Sequence, residues 1–154
     1  MQEESRMVDG THRGYRVSVR LVRRGRHRYR PRKIERPGEV YEFLSDLQYL
    51  DREVFYSLHL DGKYQLVSCE EVSRGSLGSS LVHPREVYKG AILSSAAALI
   101  VAHNHPSGDP TPSVEDCSVA RRLYKAGELL GIPLVDSVII GNGRYYSLKE
   151  GGDF

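Results

Sequence analysis

A polar segment that directly follows an apolar run, AHNHPSGDPTPSVED, carries the residues best suited to chemistry. His103 and His105 are two residues apart, so on a strand both side chains point to the same side and can converge on one point. The tract 106–112 is rich in proline and glycine and can reverse the chain, which brings the next helix beside the histidines. Asp116 lies in the first turn of that helix and is the candidate third ligand.

Two neutral imidazoles and one carboxylate are the donor set of a catalytic zinc site that keeps one coordination position open. Water in such a position becomes acidic, with a pKa near roughly 7, and supplies hydroxide at neutral pH. The spacing therefore predicts one zinc ion per chain, held by His103, His105 and Asp116. The stretch from Ser113 to Asp116 is also typical of a helix N-cap, which needs no metal, but capping does not require two histidines upstream.

Length and composition indicate one soluble globular domain with an extension. The chain has 154 residues, of which 40% are hydrophobic and 27% are charged. Its longest weakly polar run, AILSSAAALIVA, is shorter than the roughly 20 residues that cross a bilayer, so we expect no membrane span. The first ten residues lack the apolar core of a secretory signal, and two cysteines make no disulfide framework. A cytoplasmic location is the expectation.

Charge divides the chain into a basic N-terminal arm, 1–36, and an acidic body, 37–154. The arm has a net charge of +8 and the body a net charge of −6. Within the arm, YRVSVRLV alternates apolar and polar residues and predicts an edge strand. Ten Lys/Arg without an acidic residue make nucleic acid a candidate partner of the arm, and an acidic protein surface or the body itself is the alternative. The candidate nucleic-acid contacts are Arg23, Arg24, Arg26, Arg28 and Arg30.

The body alternates helices and strands. Helical spacing follows Pro37, two β-rich runs flank the turn pair Asp61-Gly62, and Pro84 begins a second helix. A short apolar strand, ALIVAH, then precedes the helix that contains Asp116, and two further strands, LVDSVII and RYYSL, end the chain. This order predicts an α/β layered domain with a mixed sheet flanked by helices, and sites in such sheets lie at the carboxyl ends of strands.

The segment HNHPSGDPTPSVED fits the JAMM (MPN+) metalloprotease motif, with His103, His105, Ser113 and Asp116 in register. GSLGSSLVHPREVYKGAI and LYKAGELLGIPLVDSVIIG extend the likeness, so the chain resembles the RadC-type branch of JAMM proteins from about residue 15 to residue 148. The resemblance implies the MPN fold, which is cytidine-deaminase-like. Two departures stand out: the chain has no room for the helix-hairpin-helix part of longer relatives, and Ser137 replaces the His expected in LLDHIIIG.

The resemblance implies hydrolysis of a peptide, isopeptide or related amide bond in a protein or peptide substrate. Glu53 matches the general base that acts on the zinc-activated water, and Ser113 matches the donor that stabilises the tetrahedral oxyanion. Glu86 is the competing candidate base, although a glutamate in the first turn of a helix is also explained by the helix dipole. The alternative function is a RadC-like accessory protein of DNA repair or mobile elements that binds nucleic acid through the arm with little or no catalysis.

Other zinc hydrolases fit the sequence less well. A zinc deaminase requires His-x-Glu and Pro-Cys-x-x-Cys, whereas Cys69 and Cys117 stand alone and far apart. The HExxH pattern of another protease class is absent from the sequence.

Overall fold

A computed structural model describes residues 17–22, 24, 33–75 and 82–154. The body begins with helix α1 (Pro37–Phe43), a short 3-10 helix (Ser45–Tyr49) and the hairpin of strands β1 (Val54–Leu60) and β2 (Leu66–Arg74). Helix α2 (Pro84–Leu93), strand β3 (Ala98–Asn104) and helix α3 (Val114–Leu130) follow. Strands β4 (Leu134–Ile140) and β5 (Tyr145–Ser147) and the short helix α4 (Leu148–Gly151) complete the chain.

The five strands form one mixed sheet in the order β2-β1-β3-β4-β5. Strands β3 and β4 are parallel, and the other neighbouring pairs are antiparallel. The α/β fold and the mixed sheet that the sequence predicts are therefore confirmed. Strand β3 lies at the centre of the sheet, and every one of its residues is buried, as its continuous apolar run predicts.

Helices cover both faces of the sheet. Alternate residues of β3 point to opposite faces, so Ile100 and Ala102 pack with Val40 of α1, whereas Leu99 and Val101 pack on the other side. That second side is covered by α2 and α3 through a group of fully or almost fully buried residues: Val87, Tyr88, Ala91 and Leu123. His103 has the same parity as Leu99 and Val101, so its side chain lies on the α2 and α3 side.

Helix α3 packs its middle turns against the sheet and ends as the sequence predicts. Ala120 and Leu123 are buried, whereas Leu129 near the end of the helix is 88% exposed. Gly131 is the C-cap residue with φ of +70°, a left-handed conformation that favours glycine because it has no Cβ. The chain then returns directly into β4, which lies parallel to β3.

The described part of the basic arm lacks the edge strand that the sequence predicts. Residues 17–22 form no strand, and Val17 and Val19 are 77% and 71% exposed, so the predicted edge strand is corrected here to irregular chain. An alternating pattern favours a strand only where its apolar face is covered, and these side chains are not. Tyr15, at the start of the predicted strand, lies outside the described residues. The last part of the arm lies on the body, because Ile34 is buried and its N–H donates to Tyr64 O at 2.8 Å.

No helix in the described part of the chain has the length and apolar character needed to cross a membrane.

A buried histidine away from the ligand candidates makes the stability of the fold depend on pH. His59 is 1% exposed, and its ring nitrogens pair with Ser57 Oγ at 2.9 Å and Ser68 Oγ at 2.7 Å. Burial lowers the pKa of His59 from 6.5 to about 4, so the folded protein holds this imidazole neutral over a range in which the unfolded chain takes up a proton.

We expect acid to weaken the fold through His59. Its contribution is fully present above about pH 6.5 and declines as the pH falls towards 4, by about 3 kcal/mol in total. Urea unfolding between pH 4 and 7, with a metal chelator present, measures this loss in the wild type and in His59→Gln. The variant should show a flatter pH dependence than the wild type, and parallel curves would contradict the assignment.

Candidate metal centre

The two histidines of the motif meet at the carboxyl end of β3. His103 is the sixth residue of the strand and is 2% exposed, and His105 follows the strand directly. Phe55 of β1 is paired with His103 in the antiparallel register, and the two rings are stacked with centroids 5.7 Å apart. The Nε2 atoms of His103 and His105 lie 3.3 Å apart, so the rings converge as their spacing predicts.

The loop after β3 orients His105. Its Nδ1 lies 2.8 Å from the backbone oxygen of Asp109, and a carbonyl only accepts, so Nδ1 carries a proton and Nε2 is the nitrogen that faces the cluster. The Asp109 carboxylate instead accepts from the backbone N–H and hydroxyl of Thr111, which stabilises the turn. Gly141, directly after β4, lets this loop approach closely, because a Cβ there would lie 2.5 Å from Gly108 O.

Asp116 caps helix α3 and also lies beside the two histidines. It forms a capping box with Ser113: Asp116 N donates to Ser113 Oγ at 3.1 Å, and Ser113 N donates to Asp116 Oδ2 at 2.7 Å. The same carboxylate faces the histidines, with Oδ1 3.1 Å from His103 Nε2 and Oδ2 3.2 Å from His105 Nε2. The helix cap therefore holds the carboxylate against both imidazoles.

The separations between these donor atoms fit a small tetrahedral ion. Ligand atoms about 2 Å from such an ion lie roughly 3.3 Å from one another. The Nε2 atoms of His103 and His105 are 3.3 Å apart, and each lies 3.1 or 3.2 Å from one of the two Asp116 carboxylate oxygens. Together with Glu53, they form a group of four residues that could hold a metal ion, with all ligand atoms within 4.8 Å of one another. The residues present thus fit a divalent metal.

The Asp116 carboxylate gives the cluster of His103, His105 and Asp116 a negative charge. Burial alone raises the pKa of Asp116, but hydrogen bonds from His103 and His105 outweigh burial and hold this pKa well below its usual range. The hydrogen bond to Asp116 is the main cause that raises the pKa of His105. Asp116 is consequently ionised at neutral pH and contributes a negative charge to the group.

Glu53 lies at the side of this cluster, immediately before β1. Its Oε1 is 3.9 Å from Nε2 of His103 and 3.9 Å from Nε2 of His105, and its side chain is 17% exposed. Glu53 is therefore further from each histidine than the histidines are from one another. Glu53 thus lies at the edge of the four-residue group, within 3.9 Å of both imidazoles.

Asn104 lies between the two histidines, but no sequence pattern indicated a functional role for it. Its side chain points to the opposite side of β3 and is fully buried. Asn104 Oδ1 accepts from Val54 N at 2.8 Å, and Asn104 Nδ2 donates to Arg52 O at 2.9 Å. These two hydrogen bonds hold the peptide groups on both sides of Glu53, so the strand that carries the histidines also positions the glutamate.

Asn104→Ala is expected to release the segment that carries Glu53. Each buried polar group left without a partner costs about 1–3 kcal/mol, so the free energy of unfolding should fall by that order. Bound metal per chain should stay unchanged because His103, His105 and Asp116 remain. Urea unfolding combined with metal analysis measures both quantities. Loss of metal in parallel with stability would contradict a role confined to Glu53.

The structure separates the remaining candidates. Glu86 lies in the first turn of α2 and pairs with Lys89 at 2.8 Å, and it is not part of the four-residue cluster. Ser113 is exposed at the N-cap of α3, three residues before Asp116. Arg24 is exposed and without regular secondary structure. The other arginine candidates lie outside the described residues: Arg23, Arg26, Arg28 and Arg30.

A layered α/β domain with two histidines, an aspartate and a glutamate at the end of a central strand is the arrangement of a JAB (MPN) domain with a metal-binding group. The chain belongs to the RadC-like JAB domain family, whose pattern matches residues 34–153. The match begins at residue 34, so most of the basic arm lies outside it, whereas the resemblance in the sequence was placed from about residue 15.

Curated relatives carry the same domain. The chain is 57% identical over 118 residues to a UPF0758 protein of Moorella thermoacetica, covering 76% of this chain and 52% of that protein. It is 50% identical over 122 residues to a UPF0758 protein of Methanosarcina mazei, covering 79% and 53%. A UPF0758 protein of Alkaliphilus oremlandii is 48% identical over 119 residues, covering 77% and 51%. The chain thus spans about half the length of these relatives.

Proposed function

We propose that this protein is a zinc-dependent hydrolase of the JAMM type that cleaves a peptide, isopeptide or related amide bond. The observation that carries the proposal is the convergence of two imidazoles on one carboxylate, beside a glutamate that lies further from both histidines. The two Nε2 atoms are 3.3 Å apart, and they lie 3.1 and 3.2 Å from the two oxygens of Asp116. A structural zinc site usually has four protein ligands, whereas three ligands and a nearby carboxylate suit catalysis. Membership of the JAB family, which includes hydrolases, supports the same proposal.

His103, His105 and Asp116 are the residues that would hold the zinc ion, one per chain. Zinc bound there would polarise the carbonyl of the substrate and lower the pKa of water. His105 would bind the ion through Nε2, which faces the site, because its Nδ1–H donates to Asp109 O. Asp116 contributes the negative charge, since its pKa is lowered within the cluster.

Glu53 and Ser113 would act on the substrate and water. Glu53 takes a proton from the attacking water and later delivers it to the leaving amine, which completes the cleavage without net proton loss. The Ser113 oxygen accepts a hydrogen bond from Asp116 N, and a hydroxyl also has one proton to donate. Ser113 would direct that proton towards the oxyanion that develops on the substrate carbonyl.

The proposal is tested with the purified full chain. Metal analysis should give about one zinc per chain after incubation with zinc and dialysis. Mass spectrometry of peptides and of dipeptides joined through a lysine ε-amino group should then show cleavage that a chelator abolishes and added zinc restores. Cleavage that persists after complete metal removal, or a chain that binds no zinc, would contradict the proposal.

A second candidate function is nucleic-acid binding through the arm, favoured by the ten Lys/Arg between residues 13 and 33 and by the exposure of Arg20 and Arg24. Such binding would weaken steeply with salt, because each neutralised phosphate releases counterions. Deletion of residues 1–32 would abolish it, whereas His103→Ala would leave it unchanged. Equal affinity with and without the arm in a DNA-binding titration would exclude this function.

A further inference from the structure

The buried ring of His103 has one nitrogen without a protein partner. Nε2 faces Asp116 and His105, but Nδ1 is buried and has no hydrogen-bond partner among the described residues. A buried polar atom without a partner costs about 1–3 kcal/mol, so such atoms in proteins are rare. If Nε2 gives its lone pair to a metal, the proton of the neutral ring is on Nδ1, and that N–H requires an acceptor.

A small cavity connects His103 with β4. Its polar lining residues are His103, Glu115, Asp116 and Ser137. The remaining wall is formed by the apolar side chains of Phe55 and Val119. The cavity measures about 10 Å³, which is close to the space needed for one water molecule. A water molecule in such a place requires polar partners, and Ser137 offers a hydroxyl with both a proton and lone pairs.

Ser137 is held firmly in position. It is 3% exposed and lies opposite Val101 in the parallel register of β3 and β4, on the face of the sheet that also carries His103. The backbone N–H of Ser137 donates to Asp136 Oδ1 at 2.7 Å, and Asp136 Oδ2 accepts from Ser147 Oγ at 2.6 Å. The Ser137 hydroxyl is therefore attached to a strand that is fixed by hydrogen bonds. A group that orients a ligand requires such support.

We propose that Ser137 is a positioning residue for His103 and acts through one water molecule bound in this cavity. The water accepts from Nδ1–H of His103 and is held by the Ser137 hydroxyl, which keeps the Nε2 lone pair directed at the metal. The inference rests on the metal site of the proposed function. This role accounts for the buried serine in β4. The next three residues of the strand, Val138 to Ile140, are all apolar and buried.

The test compares two variants of nearly the same shape, Ser137→Thr and Ser137→Val. Threonine keeps the hydroxyl, and valine has a methyl group in its place. Competition with a coloured chelator should give a zinc Kd for Ser137→Thr near that of the wild type. For Ser137→Val the Kd should be about 10- to 100-fold higher. Long-range ¹H–¹⁵N NMR spectra of the zinc-loaded proteins should show the His103 Nδ1–H signal exchanging faster with solvent in Ser137→Val, which a purely structural effect would not produce.

Glu115→Gln is the matched control, because Glu115 lines the same cavity from the exposed first turn of α3. Its Kd for zinc should equal that of the wild type. Equal zinc affinity in Ser137→Val and Ser137→Thr, or a loss in Glu115→Gln alone, would overturn the inference while the proposed function stands. A wild-type chain that binds no zinc would overturn both.

Discussion

Replacing His103 by alanine is expected to lower bound zinc from about one ion per chain to nearly none. His103 is one of three candidate ligand residues, with its Nε2 3.3 Å from that of His105 and 3.1 Å from Asp116 Oδ1. Without it, Asp116 and His105 leave two ligands for the ion. Zinc should also raise the melting temperature of the wild type. At a free concentration 100 times the Kd, the gain in stability is about 2.7 kcal/mol, and the variant should gain nothing.

His83→Ala is the matched control, because His83 is an exposed histidine at the N-cap of α2 and lies outside the cluster. This variant should keep the metal and its effect on melting. His105→Ala gives a second test in a less buried position, since this side chain is 17% exposed and its removal disturbs packing less. Full zinc retention in folded His103→Ala would exclude the ligand set.

Glu53→Gln is expected to keep the zinc and lose most of the hydrolysis. The glutamate is 3.9 Å from each histidine Nε2, so its role is proton transfer rather than binding of the ion. Removal of a general base lowers kcat by a factor of about 10² to 10⁴. Glutamine has nearly the same shape but cannot accept the proton at neutral pH, and the comparison of kcat with metal content separates the two roles.

Glu86→Gln provides the control for this experiment. Glu86 is the other glutamate that the sequence offered as a base, and its carboxylate is paired with Lys89 on the surface of α2. Hydrolysis by Glu86→Gln should match that of the wild type. If Glu53→Gln retains full activity, or if Glu86→Gln loses it, the assignment of the base is wrong.

Much of the fold could be predicted because local patterns agree with the tertiary structure. The apolar run of β3 predicts a strand covered on both faces, and the helical stripe that ends at Gly131 predicts α3. The alternating segment that includes Val17 and Val19 shows the limit of this reasoning. Periodicity describes which side chains share a face, but it does not provide a neighbouring strand or a helix to cover that face.

The sequence by itself determined the three candidate ligands. His103 and His105 share one face because of their spacing, and the helix cap between Ser113 and Asp116 is a local structure that places the carboxylate beside them. These interactions connect residues at most 13 positions apart, so a short segment contains nearly all the information needed. The association of Glu53 with the site came from family resemblance and not from spacing.

Only the tertiary structure decided how the rest of the site is assembled. Asn104 holds the segment that carries Glu53 across a separation of 50 residues in sequence, and Ser137 lines the cavity beside His103 from a different strand. The physical reason is that both contacts depend on sheet pairing: β1 lies on one side of β3 and β4 on the other. The register of these pairs is set by packing throughout the core, and no local sequence pattern encodes it.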